Sequence, residues 1–168
     1  IDLESAIGFK PAIKSATQHR QGQELITEIA VDLDALIGGN ADNAIMASAA
    51  SAAGHITQLT VAKYGIITEI RAVCVEQPVG GGITSNEVNV ATHSNALSQG
   101  TGTATARIES LDAVGVDTSF LIDADTTLGQ NATAHYLYIT NGGAGDSSAM
   151  TAGKILIYIH GFAVPADI

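Results

Sequence analysis

Tryptophan is absent, cysteine occurs once, at Cys74, and aromatic residues make up only 4% of the sequence. A single cysteine excludes an intrachain disulfide and a Cys2His2 zinc site, so stability must come from packing or assembly. With no Trp and four Tyr, a sugar-gripping cleft is poorly equipped. Charge is scarce as well. Charged residues make up 14% of the chain, against about a quarter in an ordinary soluble domain. Seven basic side chains spread over 168 positions cannot form the phosphate-tracking patch that nucleic-acid binding needs, which excludes direct DNA or RNA binding. No apolar run approaches the about 20 residues that span a bilayer, and residues 1–20 hold no apolar stretch resembling a secretory signal. The chain, which begins at Ile1, is therefore expected to be made in a cytoplasm, trimmed at its N-terminus and free of membrane contact.

What is present is Ala, Ile, Val and Leu, 18 glycines and abundant Thr, a mixture that favours short strands and small turns over long helices. A neutral, small-residue surface is expected where neighbouring subunits cover large areas, because charge is depleted at interface centres. The net charge of −10 is unevenly placed. Residues 1–20 carry three cations against two acids, and residues 21–168 carry four against fifteen.

Residues 1–24 show no sustained period and read as an extended N-terminal arm ahead of a domain over 25–168. Strands are predicted over 25–33, 55–62, 66–76, 87–92, 103–109, 117–125, 135–140 and 154–162, several by strict alternation. Lys63-Tyr64-Gly65 suits a hairpin or bulge, and Pro78 with Gly80-Gly81-Gly82 ends the strand before it. The Ala-rich stretch 43–53, with Asp42 or Asn43 as N-cap and Gly54 beyond its end, predicts one short helix. His135 and His160 fall on the two terminal strands, which carry large residues on both faces and are expected to be central, the two histidines facing each other. The pattern is that of an all-β antiparallel sandwich or jelly roll.

Motifs for chemistry are sparse. Histidines 19, 55, 93, 135 and 160 have no metal-site spacing. Asp117, Asp123 and Asp125 resemble a fragment of a calcium loop but lack the central Gly and closing Glu, and read as solvated loop carboxylates. The glycine runs at 80–82 and 141–145 lack the Lys-Ser/Thr of a phosphate loop and are turns. No Gly-x-Ser-x-Gly elbow occurs. Cys74 falls on an apolar strand face and reads as buried and inert. A non-enzyme without cofactor is expected.

The segments Ala134-His-Tyr-Leu-Tyr-Ile-Thr-Asn-Gly-Gly-Ala-Gly145 and Met150-Thr-Ala-Gly-Lys-Ile-Leu-Ile-Tyr-Ile-His-Gly-Phe162 resemble the ending of small capsid-associated proteins of tailed bacteriophages. There, an aromatic-rich strand, a Gly/Ala/Thr loop and a Thr-Ala-Gly-Lys-led strand close a β-sandwich. The resemblance implies a capsid decoration (cement) protein, often a homotrimer, seated on the exterior of a major capsid protein lattice in the virion. Within that frame, charge and hydrophobicity nominate the arm as the lattice-gripping element, with Ile7, Phe9 and Ile13 as apolar anchors and Lys10, Lys14 and Arg20 meeting acidic lattice surface. The competing class is a carbohydrate- or receptor-binding β-sandwich of a phage fibre or cell-surface protein.

Overall fold

In the computed structural model, residues 13–82, 87–101, 107, 108, 111, 115, 117–121, 135–143 and 148–163 are described. Nine strands and one helical turn follow in order: β1 Ile13–Gln21, β2 Glu24–Asp32, β3 His55–Leu59, α1 Val61–Tyr64, β4 Ile66–Gly80, β5 Val88–His93, β6 Arg107–Ile108, β7 Asp117–Leu121, β8 His135–Asn141 and β9 Met150–Phe162. They form two antiparallel sheets, one ordered β1-β2-β9-β4-β7 and the other β3-β8-β5-β6.

The pairing is nested: β2 with β9, β3 with β8, β4 with β7, β5 with β6. This is one long hairpin, rolled up by the further contacts of β4 with β9 and β5 with β8. Eight strands paired in this way make a jelly roll, so the expected all-β class is correct, with β1 added as an outer edge.

Alternation accounts for the strongest strands. In β2, Ile29 and Val31 point inward, as do Ile155, Ile157 and Ile159 in β9 and Ile70, Ala72 and Cys74 in β4. They meet Val88, Val90, Leu137 and Ile139 of the second sheet in a continuous core. Cys74 is fully buried there, as expected.

Several expectations are corrected. Residues 13–21 are not part of an arm, since they pair along their length with β2; residues 1–12 lie outside the described residues. The helix over 43–53 does not form. Asn43 and Ser51 have φ of 54° and 60°, and the backbone amides bond across the chain instead: Ile45 to the Thr101 carbonyl, Met46 to Ile139, Ala47 to Ile37. Among the described residues the helix that does form is the single turn α1, capped where Thr60 Oγ1 accepts from the Lys63 amide at 3.3 Å. It carries the chain from one sheet to the other, so Lys63-Tyr64-Gly65 is no hairpin. β4 also continues past Pro78 to Gly80, because register shifts around Glu76 and Val79 let an imino acid sit where no ladder donor is needed.

The outward side of the four-stranded sheet is covered by the chain itself. Residues 44–47 extend that sheet beside the end of β8, where Ile45 bridges Thr140. Residues 95–101 run along them, with Gly54 donating to Leu97 O and Gln99 to Ala52 O. Tyr138 is caught beneath, its hydroxyl donating to Asn95 O at 2.7 Å and accepting from the Leu97 amide at 2.9 Å.

Candidate interaction surface

The outward side of the five-stranded sheet is a ladder of cross-strand rows whose positions follow from the register of β1, β2, β9 and β4. At one end lie Gln21, Glu24, Phe162 and Ile66, followed by His19, Ile26, His160 and Glu69. Next come Thr17, Glu28, Tyr158 and Arg71, then Ser15, Ala30, Leu156 and Val73. The far row is Asp32, Lys154 and Glu76, with Lys14, the extra residue at a bulge in β1, reaching Asp32 by an ion pair at 3.4 Å; Lys154 and Glu76 form a second ion pair.

Local electrostatics fit that arrangement. The Asp34 amide donates to Asp32 Oδ1 at 3.1 Å. This bond, aided by Lys14 and Lys154 and opposed by burial, holds the Asp32 carboxyl below the usual range. The Glu76 carboxylate pushes the Lys154 amine up. In the middle rows the Arg71 guanidinium lies 5.8 Å from the centre of the Tyr158 ring, a cation–π contact. His160 Nδ1 stands 4.0 Å from Glu24 Oε1.

Large apolar side chains are exposed at both ends of β4. Ile66 and Phe162 are paired across β4 and β9 at 51% and 47% exposure, with Val61 nearby on α1 also exposed. Val75 and Val79 are exposed toward the other end of β4. Single exposed apolar residues are ordinary, whereas grouped ones mark contact sites.

The nominated residues separate. Ile7, Phe9 and Lys10 lie outside the described residues. Ile13 packs against the core, Lys14 is held by Asp32, and Arg20 Nε donates to Gly22 O at 2.8 Å. These three therefore lie on the edge strand β1. His135 and His160 do not face each other, since β8 and β9 lie in different sheets. His55 packs edge-on against Tyr136 with ring centres 5.1 Å apart; burial, with Lys63 beyond it, lowers its pKa. Asp117 opens β7, while Asp123 and Asp125 lie outside the described residues. Among the described residues no three His, Cys, Asp or Glu gather as a metal-holding group, and no helix is long and apolar enough to cross a membrane.

Neither a family model nor a curated protein matches the chain. It is similar, at 13% identity and a TM-score of 0.34 over 95% of its length and 92% of the other chain, to an RmlC-like cupin protein from Desulfovibrio desulfuricans. A likeness that distant carries no argument about this chain's role.

Sequence reading missed this surface because its rows exist only once the register is set. The signal available beforehand was the outward half of each alternation: Glu28, Ala30 and Asp32 in β2, and Lys154, Leu156 and Tyr158 in β9.

Proposed function

We propose that the protein is a structural subunit that seats on the exterior of a viral major capsid protein lattice and reinforces it, acting through contact area rather than catalysis. The observation that supports this is the exposure of grouped apolar side chains at both ends of β4, Val61, Ile66 and Phe162 at one and Val75 and Val79 at the other. A subunit in a closed shell has neighbours on more than one side, and each contact can be modest because symmetry repeats it. The low charge content agrees, since interface centres are poor in charge. Residues 1–12, with Ile7, Phe9 and Lys10, supply a further gripping segment that precedes β1 in the sequence.

The test is co-sedimentation with capsids of the encoding virus stripped of this protein. The wild type should bind saturably and raise the temperature at which the shell opens, while a chain carrying Val61→Asp and Val79→Asp should stay in the supernatant. Absence of the protein from purified virions, or failure to bind stripped capsids, would overturn the reading.

A further inference from the structure

The outward sides of the two sheets are finished differently. On the four-stranded sheet Asn89, Ala91, Tyr138 and Thr140 lie at 0–2% exposure, sealed by the chain's own loops. On the five-stranded sheet Ile26, Ala30, Leu156 and Val73 keep part of their surface in solvent. We infer that this second face pairs with the same face of a second copy, about a two-fold axis running parallel to the strands between β2 and β9.

Charge order decides the axis. The far row reads anion, cation, anion across β2, β9 and β4 (Asp32, Lys154, Glu76), and Lys14 at the β1 bulge adds a cation beside Asp32 through its ion pair. A two-fold axis along the strands lays each row against itself in reverse, and reversing these four alternating charges gives their complement. Lys14 then meets the partner's Glu76, and Asp32 meets the partner's Lys154. In the neighbouring row the four residues of β1, β2, β9 and β4, Ser15, Ala30, Leu156 and Val73, carry no charge and meet themselves with Ala30 against the partner's Leu156, while Asp117 of β7, paired with Val73, lies beyond them at the edge. One row further, the Glu28 carboxylate faces the phenol of the partner's Tyr158, an acceptor opposite a donor. In the row beyond that, His19 faces the partner's Glu69. An axis lying across the strands would instead set Asp32 against the partner's Glu24, Lys154 against the partner's Phe162 and Glu76 against the partner's Ile66, whereas the axis along the strands leaves one such mismatch, Glu24 against the partner's Phe162 in the end row.

The area suffices. Four strands about 4.8 Å apart and about 30 Å long present about 600 Å² per copy, or roughly 1,200 Å² for the pair, inside the range of stable interfaces. Aligned sheets stack about 10 Å apart with a modest crossing angle, which keeps central rows in register. The net charge of −10 opposes association at long range, but screening within about 8 Å at physiological salt leaves the local complementarity in control.

This pairing covers Ile66 and Phe162 in its end row and leaves Val61 and Val79 outside the paired rows for the lattice; it is tested separately, without capsids, by equilibrium sedimentation of the full chain over a range of concentrations. The expected species is a dimer of the 17.1 kDa chain, in equilibrium with monomer. Lys154→Glu should weaken it at least about tenfold by setting like charges face to face. Adding Asp32→Lys restores opposite charges across the copies while breaking alternation within each chain. Dimerisation should therefore return to within about threefold of the wild type, which a charge acting only on the fold would not produce. Ala30→Arg, in the neutral row, should give a monomer with an unchanged circular dichroism spectrum, and it decides the matter if Lys154→Glu fails to fold. A monomer at every concentration, the trimer that the phage resemblance implies, a dimer indifferent to Ala30→Arg, or no recovery in the double variant would overturn the inference.

Discussion

The Thr57 hydroxyl and the Tyr64 phenol meet 2.8 Å apart in the buried core, linking a strand of one sheet to the helical turn that leads into the other. Removing one partner leaves the other without its hydrogen bond in a dry site, which costs about 1–3 kcal/mol. Tyr64→Phe and Thr57→Val should each lower stability by about that amount in urea unfolding. The double variant should cost clearly less than the sum of the two, because no orphaned hydroxyl remains. Strict additivity would show that the contact carries no coupling.

Burial pushes both Tyr64 and Tyr138 up to about 12. A phenol whose pKa is higher in the folded state than the ordinary 10 stabilises fully below pH 10, and that contribution is lost as pH rises through 12. The melting temperature should therefore fall across pH 10–12. Tyr138→Phe should shrink the fall, at the cost of the two bonds its hydroxyl makes to Asn95 and Leu97. An alkaline limb unchanged by that substitution would count against Tyr138 as its source.

Gly161 in β9 packs against the end of α1 so closely that an added Cβ would lie on the Tyr64 carbonyl oxygen, with Ile66 O only 3.1 Å away. Both obstacles are backbone and cannot swing aside. Gly161→Ala should destabilise by about 1–3 kcal/mol, the usual cost of overpacking, read as a lower urea midpoint with an unchanged slope.

These features differ in how far the sequence exposes them. The alternation in 25–33, 66–76 and 154–162 locates β2, β4 and β9 because each buries one face. β1 escapes notice because after Ile13 its inward positions are Ala16 and Gln18, and Gln18 is satisfied by Thr27 Oγ1 and the Lys63 carbonyl rather than by apolar contact. The Ala-rich run at 43–53 has helical composition, yet its amides find partners in Ile37, Thr101 and Ile139. Such long-range bonds override local propensity. The jelly roll was within reach of the strand count, but not the nested pairing, since β2 meets β9 across more than a hundred residues. The interaction surface follows from that pairing and was hidden with it.

Asp32 gives the acid side of stability. Its carboxyl is held below the ordinary value, first by the Asp34 amide and then by Lys14 and Lys154. A lowered pKa contributes stability above 3.8, its ordinary value, and loses it as pH falls through the folded value. Unfolding free energy should thus decline as pH drops below about 4, and Asp32→Asn should flatten that decline. At pH 7 the same substitution should cost little, about 0.2–1 kcal/mol, because Lys14 is 58% exposed and water screens the pair. Salt separates the two causes. At 1 M ionic strength the Debye length falls to about 3 Å, which removes most of what the lysines supply while sparing the short bond from Asp34. Wild type in high salt should therefore keep part of its acid-side slope, measured by urea unfolding at pH 2–5. Complete loss of that slope in salt would assign the whole effect to the lysines and take the Asp34 amide out of the account.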